Sequence, residues 1–324
     1  MYRTLALIGA LLFGIVGCGT GNGPTPTSSP SDSGFWTTPH PAADSVQIEN
    51  RIRQIDVCAL IPRETLNSLG SVRTVGDTNL STCDAQLGSA EDYKGTDVQW
   101  SDVFSTRPIA VPKGTQQTVG AVTYTYQADR DGLPAAQFAQ LVQRTCTATA
   151  RFVSGAALMM FVDTPLGTEP CPVAQRLLPD AMRAWTAEPK QGASPATAHS
   201  VLLGADPCAI QTRLGVPATQ SVHNPWECDF RYHNQDVILR YEYRQQNSLT
   251  SDATAIPDGP HTIYRATPAP DQDGYWGYNS PVGPAIEPQA PSDFTGPYLP
   301  NVYVSSKSDT VSQDVIRQAI SQFH

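Results

Sequence analysis

The residues of this chain with the most evident chemistry are its seven cysteines. Cys18 closes the run Ile15-Val16-Gly17-Cys18, directly after an uncharged apolar stretch at residues 5–16 that follows Arg3. Two aliphatic residues, a small residue and a Cys at the end of such a stretch form the pattern of a bacterial lipobox, in which the thiol accepts a diacylglycerol. The apolar stretch has the length of a signal-peptide core and is too short to cross a hydrocarbon layer of about 30 Å as a helix. Cys18 is therefore the expected lipidation site, and acyl chains rather than a spanning helix are the expected hold on the membrane. The remaining cysteines are Cys58, Cys83, Cys146, Cys171, Cys208 and Cys228, an even set that in an exported chain implies disulfides. None of them forms a Cys-x-x-Cys pair, so neither a zinc ribbon nor a thioredoxin-type redox site is expected.

Other reactive groupings are sparse. The sequence contains no Gly-x-Ser-x-Gly elbow, no His-Glu-x-x-His and no glycine-rich phosphate loop. His40, His199, His223, His233, His261 and His324 are scattered, and although His223 and His233 flank Cys228, a disulfide-bonded Cys has no thiolate to offer a metal. Asp271-Gln272-Asp273-Gly274 lacks the later oxygens and closing Glu of a calcium loop and reads as a solvated turn. Asp129, Asp131 and Gly132 read as a turn and the start of a helix. No catalytic residue, metal or cofactor is expected. Residues 251–300 hold ten prolines and the aromatic cluster Tyr275, Trp276 and Tyr278, followed by Phe294 and Tyr298. Such a segment is either a long loop packing its rings over a sheet or an aromatic surface for a partner, since rigid rings dock at low entropic cost.

Charge narrows the partners further. With 21 Lys and Arg against 30 Asp and Glu, a net charge of -9 and no basic run, the chain lacks the clustered cations that neutralise phosphates. A nucleic-acid partner is excluded on that ground.

Elements must then position these residues. After a signal peptide at residues 1–17, residues 18–45 are rich in Gly, Pro, Ser and Thr without periodicity and read as a disordered tether. Within the rest, a pattern occurs twice. Asp56-Val57-Cys58-Ala59-Leu60 precedes Leu69-Gly70 and Cys83-Asp84, while Asp206-Pro207-Cys208-Ala209-Ile210 precedes Leu214-Gly215 and Cys228-Asp229. An Asp-Val pair then opens an alternating strand in each copy, at Asp97-Val98 and Asp236-Val237; in the second, Val237, Leu239, Tyr241 and Tyr243 share one face. The repeat implies the sequential bridges Cys58–Cys83 and Cys208–Cys228, which leaves Cys146 to Cys171. The first copy reads as a helix over 62–69, strands over 98–104 and 122–127, a helix over 134–144, and a hairpin over 146–153 and 156–163 turning at Ser154-Gly155. A last helix starts near Pro170, with Pro179 as a kink or restart. The second copy ends on a strand at 303–305 and a helix opened by a capping box of Thr310 and Gln313. Strands joined by short turns with helices on one side predict an α+β class: two related domains at 46–187 and 199–324, each an antiparallel sheet with flanking helices, joined by a linker at 188–198.

The set Asp56, Cys58, Leu69, Gly70, Cys83, Cys146, Cys171 and Pro172, behind a lipobox and a tether, resembles an actinobacterial lipoprotein family catalogued as domain of unknown function 3558. The resemblance covers about residues 50–186, and the second copy departs from it by lacking the second Cys pair. It implies an envelope lipoprotein held at the extracytoplasmic face of the cell membrane, and it carries over no catalytic residue. The expected function is a non-catalytic binding or scaffold module facing an envelope protein or glycan; the alternative is a carrier of a lipid or small apolar ligand between helix and sheet.

Overall fold

The computed structural model describes residues 34–41, 44–91, 93–105, 113–217, 225–287 and 297–323. Cys18, with the signal peptide and most of the tether, lies outside the described residues.

The first module opens with α1 (Ser45–Ile52), a 3-10 turn at Val57–Leu60 and α2 (Arg63–Asn67). Strands β1 (Val72–Asn79), β2 (Thr82–Gly88), β3 (Gly95–Phe104), β4 (Thr115–Val119) and β5 (Val122–Ala128) follow, then the short helices α3 (Asp129–Gly132) and α4 (Ala135–Phe138). The hairpin of β6 (Gln143–Phe152) and β7 (Ala156–Pro165) leads into α5 (Cys171–Thr186). The second module has a 3-10 turn at Pro207–Ala209, α6 (Ile210–Leu214), β8 (Glu227–Tyr232), β9 (Gln235–Gln245) and α7 (Gln246–Thr250). It continues through β10 (Ala253–Asp258), β11 (His261–Ala266), β12 (Trp276–Pro281), β13 (Tyr298–Ser306) and α8 (Asp309–Ile320).

All strand pairs are antiparallel, and the strands form a seven-stranded sheet ordered β1-β2-β3-β7-β6-β5-β4 and a six-stranded sheet ordered β8-β9-β13-β12-β11-β10. This is an α+β architecture. Apart from β1, the second order repeats the first strand for strand, with α5 and α8 each following the equivalent central strand. Register makes the equivalence residue-specific. Cys83 pairs with Trp100, Trp100 with Met160 and Met160 with Ala148; in the second sheet Cys228 pairs with Leu239, Leu239 with Val304 and Val304 with Tyr278.

Helices cover one face of each sheet because alternation delivers apolar side chains to it. Trp100, Phe152, Met160, Leu177 and Trp185 fill the first core; Trp226, Leu239, Tyr241, Val304 and Ile316 fill the second. In the β6–β7 turn Gly155 has φ +99°, and a Cβ there would lie 2.9 Å from the Ser105 carbonyl oxygen, so both backbone freedom and space require glycine.

Several sequence expectations are corrected. The tether is not free up to residue 45: Phe35 and Trp36 are buried, with Trp36 packed edge-on against Trp185 and its Nε1 donating to Glu188 Oε1 at 2.8 Å. The linker at residues 188–198 is a strap bonded to the first module. Asp56 N donates to the Pro189 carbonyl at 2.7 Å, Gln191 Nε2 donates to the carbonyls of Arg53 and Ile55, and Ala196 and Thr197 are buried. The helix expected over 134–144 stops at Phe138, because Arg144 belongs to β6, where its guanidinium grips the Asp129 carboxylate through Nε and Nη2. Pro179 does not restart a helix, since α5 runs unbroken through it, and the carbonyl it cannot pair, that of Gln175, belongs to an exposed residue. Ser308, not Thr310, caps α8, its side chain accepting from Val311 N. Residues 251–300 are not one long loop but include β10, β11, β12 and the start of β13, with Pro257 on the edge strand where a missing N–H costs no ladder bond.

Candidate functional site

The repeated cysteine motif is a covalent frame. The structure joins Cys58 to Cys83, Cys146 to Cys171 and Cys208 to Cys228. Asp56 caps the first 3-10 turn by accepting from Ala59 N, and Asp206 caps the second by accepting from Cys208 N at 2.9 Å. Each motif thus presents its cysteine to the sheet, and Trp100 Nε1 fixes the first turn again by donating to the Val57 carbonyl at 2.8 Å. The motif aspartates are occupied by backbone and strap, since Asp56 also accepts from Ser194 N at 2.8 Å and from Thr197 Oγ1 at 2.6 Å. Three disulfides are the framework of a chain folded in an oxidising compartment. Among the described residues no helix is long and apolar enough to cross a membrane.

The aromatic cluster does not make one surface. Tyr278 is fully buried in the second core, and its hydroxyl donates to Asp309 Oδ1 at the start of α8 and accepts from Gln313 Nε2. Burial, with Asp309 adding to it, pushes the Tyr278 hydroxyl up to about 12. Trp276 is half-buried against the same core, while Tyr275 lies under the Lys307 ammonium, 5.2 Å from its ring centroid. As a three-residue partner surface the cluster is withdrawn, because a β-strand sends alternate side chains to opposite faces. Phe294 lies outside the described residues.

His223 is likewise outside them, and Cys228 is bridged; among the described residues no cluster of three or more His, Cys, Asp or Glu could hold a metal. Asp271 folds its own turn, its Oδ1 accepting from Asp273 N and Tyr275 N. Asp129 serves the β6 arginine: burial acts to raise its carboxyl, but the Arg144 guanidinium and the backbone N–H groups of Thr145 and Arg130 together hold it below the usual range.

What the sequence did not single out is a groove of about 760 Å3 on the helix-free face of the first sheet. Four strands build its floor in register. Gln86 faces Asp97, Asp97 faces Asp163 and Asp163 faces Thr145, forming one row across β2, β3, β7 and β6. The next row runs Asp84, Gln99, Phe161. Gln143 closes one end, and Thr78, Asn79 and Tyr298 the other, so the wall uses a residue from the second module. Thr145 Oγ1 donates to Asp163 Oδ1 at 2.5 Å. Burial raises the Asp84 carboxyl above its ordinary value, against hydrogen bonds from the Gln99 and Thr78 side chains. Carboxylates and amides in rows, beside two rings, suit a polar ligand that offers many hydrogen bonds and one apolar face. A hydrophilic outward face is the ordinary appearance of any half-buried strand, so only the cross-strand register brings these residues together. No family model, curated protein or solved structure matches the chain.

Proposed function

We propose that this chain is a lipid-anchored protein of the extracytoplasmic face of the cell membrane, acting as a non-catalytic binding module. The observation that carries the binding reading is the groove across β2, β3, β7 and β6, whose carboxylates, amides and rings converge on one space. Support for the anchor is the run Ile15-Val16-Gly17-Cys18, and the three disulfides agree with an exported fold. The resemblance to the lipoprotein family carries the same implication. A lipid carrier would use the layer between α5 and the first sheet, but Trp36, Phe152, Met160 and Trp185 occupy that layer. The groove is the better receptor.

Two measurements test the proposal. Mass spectrometry of the mature N-terminus should find an acylated Cys18; an unmodified N-terminus at another residue overturns the anchor. Titrating short envelope glycans and peptides into isotope-labelled protein should shift the amide resonances of Gln99, Phe161 and Asp163 ahead of others, and Phe161→Ala should weaken that binding. Shifts confined to the Trp276 region would move the site to the second module, and turnover of a bound glycan or peptide would overturn the non-catalytic reading.

A further inference from the structure

The edge of a sheet is a row of unpaired N–H and C=O groups, and folded proteins blunt such rows with charge, proline, bulges or covering chain. Among the described residues the two sheets end in four edge strands, β1, β4, β8 and β10. β1 has register shifts at Val72–Thr74 and at Asp77–Asn79, and other chain lies along it. The Asp77 N–H donates to the Ala196 carbonyl at 3.2 Å, and Arg63 Nη2 donates to the Val72 carbonyl at 2.8 Å. β8 carries Glu227, Asp229 and Arg231, and β10 carries Pro257 and Asp258. β4 has none of these devices. Its five residues, Thr115-Gln116-Gln117-Thr118-Val119, hold no charge and no proline, pair with β5 in unbroken register and are exposed throughout. Among the described residues no strand or loop backbone pairs with its outer side.

The open edge borders a cleft. Thr115 and Gln117 lie opposite Tyr126 and Tyr124, which are buried in the first core, so the helix-covered side of β4 looks toward α5. Between the two lies a space of about 270 Å3, lined by Thr115, Gln116, Gln117 and Tyr126 on the sheet and by Gln175 and Pro179 on the helix. Pro179 has no N–H to give the Gln175 carbonyl its helical bond, and that acceptor lies between the two helix residues of the cleft wall. Unused backbone hydrogen-bonding groups therefore border the cleft on both sides. Its volume falls below the about 300–1,000 Å3 of a small-molecule site and suits side chains. Charge and area select the occupant. A second copy would bring its own net charge of -9 against this one. Five residues of edge also fall short of the about 20–30 residues a side that a stable dimer uses. An extended peptide needs no such area, because ladder bonds supply affinity and a neighbouring pocket takes alternate side chains. No lining residue is charged, so a charged side chain entering the cleft would lose hydration without finding a partner. We propose that β4 docks an extended, uncharged segment of another protein as an added strand of the first sheet, with alternate side chains seated between Tyr126 and Pro179. This cleft shares no residue with the groove on the helix-free face, so the two sites stand or fall separately.

The probe is the capped peptide Thr-Val-Thr-Val-Thr, compared with the same peptide N-methylated at every amide, which keeps the side chains and removes the donors. Titrated into isotope-labelled full-length protein, the first should shift the amide resonances of Gln116, Gln117 and Thr118, and the second should bind at least about tenfold more weakly. Gln117→Lys puts a blunting charge at the centre of the edge and should weaken the first peptide by a similar factor. Pro179→Ala returns an N–H to the Gln175 carbonyl and should weaken it about fivefold, the worth of one hydrogen bond. Unchanged thermal melting shows that each variant is folded, and the N-methylated peptide tests the ladder without any variant. Equal binding of the two peptides, or shifts confined to Gln99, Phe161 and Asp163, overturns the proposal. So does a dimer in sedimentation that Gln117→Lys abolishes, since the edge then belongs to a second copy. Pro179→Ala binding like the parent protein removes the Gln175 carbonyl from the site.

Discussion

Individual buried carboxyls set the pH behaviour of this fold. Asp102 projects from β3 onto the helix-covered face between Trp100 and Phe104; it is fully buried, and among the described residues neither carboxyl oxygen has a hydrogen-bond partner. Burial holds it well above the ordinary carboxylate range. Burial likewise pushes Glu49 on α1 up to about 7, opposed by Arg53 and reinforced by Asp206. Asp77 on β1 is pushed by burial to about 7, opposed by the Ala198 N–H that its Oδ2 accepts at 3.0 Å and reinforced by Asp56. In the unfolded chain such groups titrate near pH 4, so between about pH 4 and about pH 7 the folded state binds more protons and stability falls as pH rises. Below that window both states are protonated; above it the full cost of a buried charge is present. Asp77→Asn, which keeps the acceptor for Ala198 and cannot ionise, should therefore gain on the parent protein by about 2–3 kcal/mol between about pH 5 and about pH 8. Urea unfolding at the two pH values checks this, and a difference that does not change with pH would show that Asp77 titrates alike in both states.

At the scale of elements, two modules with one strand order solve the same fastening problem differently. In the first, Cys146 on β6 is bridged to Cys171 at the start of α5. In the second, Trp276 stands at the position of Cys146, and Tyr278, two residues along the same face, holds the start of α8 through Asp309 and Gln313. A hydrogen-bonded ring replaces a disulfide, which is why the second module needs only one Cys pair. The sequence made much of this frame legible. The spacing of Asp-x-Cys and Cys-Asp marks both capped turns, and the alternation Val237, Leu239, Tyr241, Tyr243 lands wholly on the buried face of β9. Other elements leave no such trace. β4, Thr115–Val119, is exposed along its whole length, so it has no apolar alternation to read. Phe35 and Trp36 are a single apolar pair inside Gly-, Pro- and Ser-rich chain, and the rings that pack on Trp36, those of Phe152 and Trp185, are more than a hundred residues away in sequence. The groove was hidden for a similar reason: Asp84, Asp97 and Asp163 are unremarkable on their own strands and meet only through pairing across the sheet.

Across the whole molecule the two sheets belong to a single unit spanning Ser33–His324. Arg53, from the first module, is 3% exposed and reaches the second with Nη1 donating to the Pro225 carbonyl at 2.8 Å and Nη2 pairing with Asp206 at 2.8 Å. Tyr243, from the second, meets the strap by donating its hydroxyl to the Ala198 carbonyl at 3.4 Å. Most telling is Leu80 at the tip of the β1–β2 hairpin, which belongs by sequence to the first module but is buried in the core of the second, beside Trp226, Tyr241 and Tyr243. β1, which has no counterpart among the described residues of the second sheet, is thus what carries one module's side chain into the other. The same junction brings Tyr298 to the wall of the groove, so the proposed binding groove and the module junction share a boundary. Cooperative unfolding follows from this. Thermal and urea transitions followed by tryptophan fluorescence and by far-ultraviolet circular dichroism should coincide in one step. Leu80→Ala leaves a cavity in a core that its own strand does not line, and should cost about 2–4 kcal/mol of that single transition. Should the parent protein instead melt in two steps, with Leu80→Ala shifting neither, the modules would be independent and the shared core would contribute nothing to their coupling.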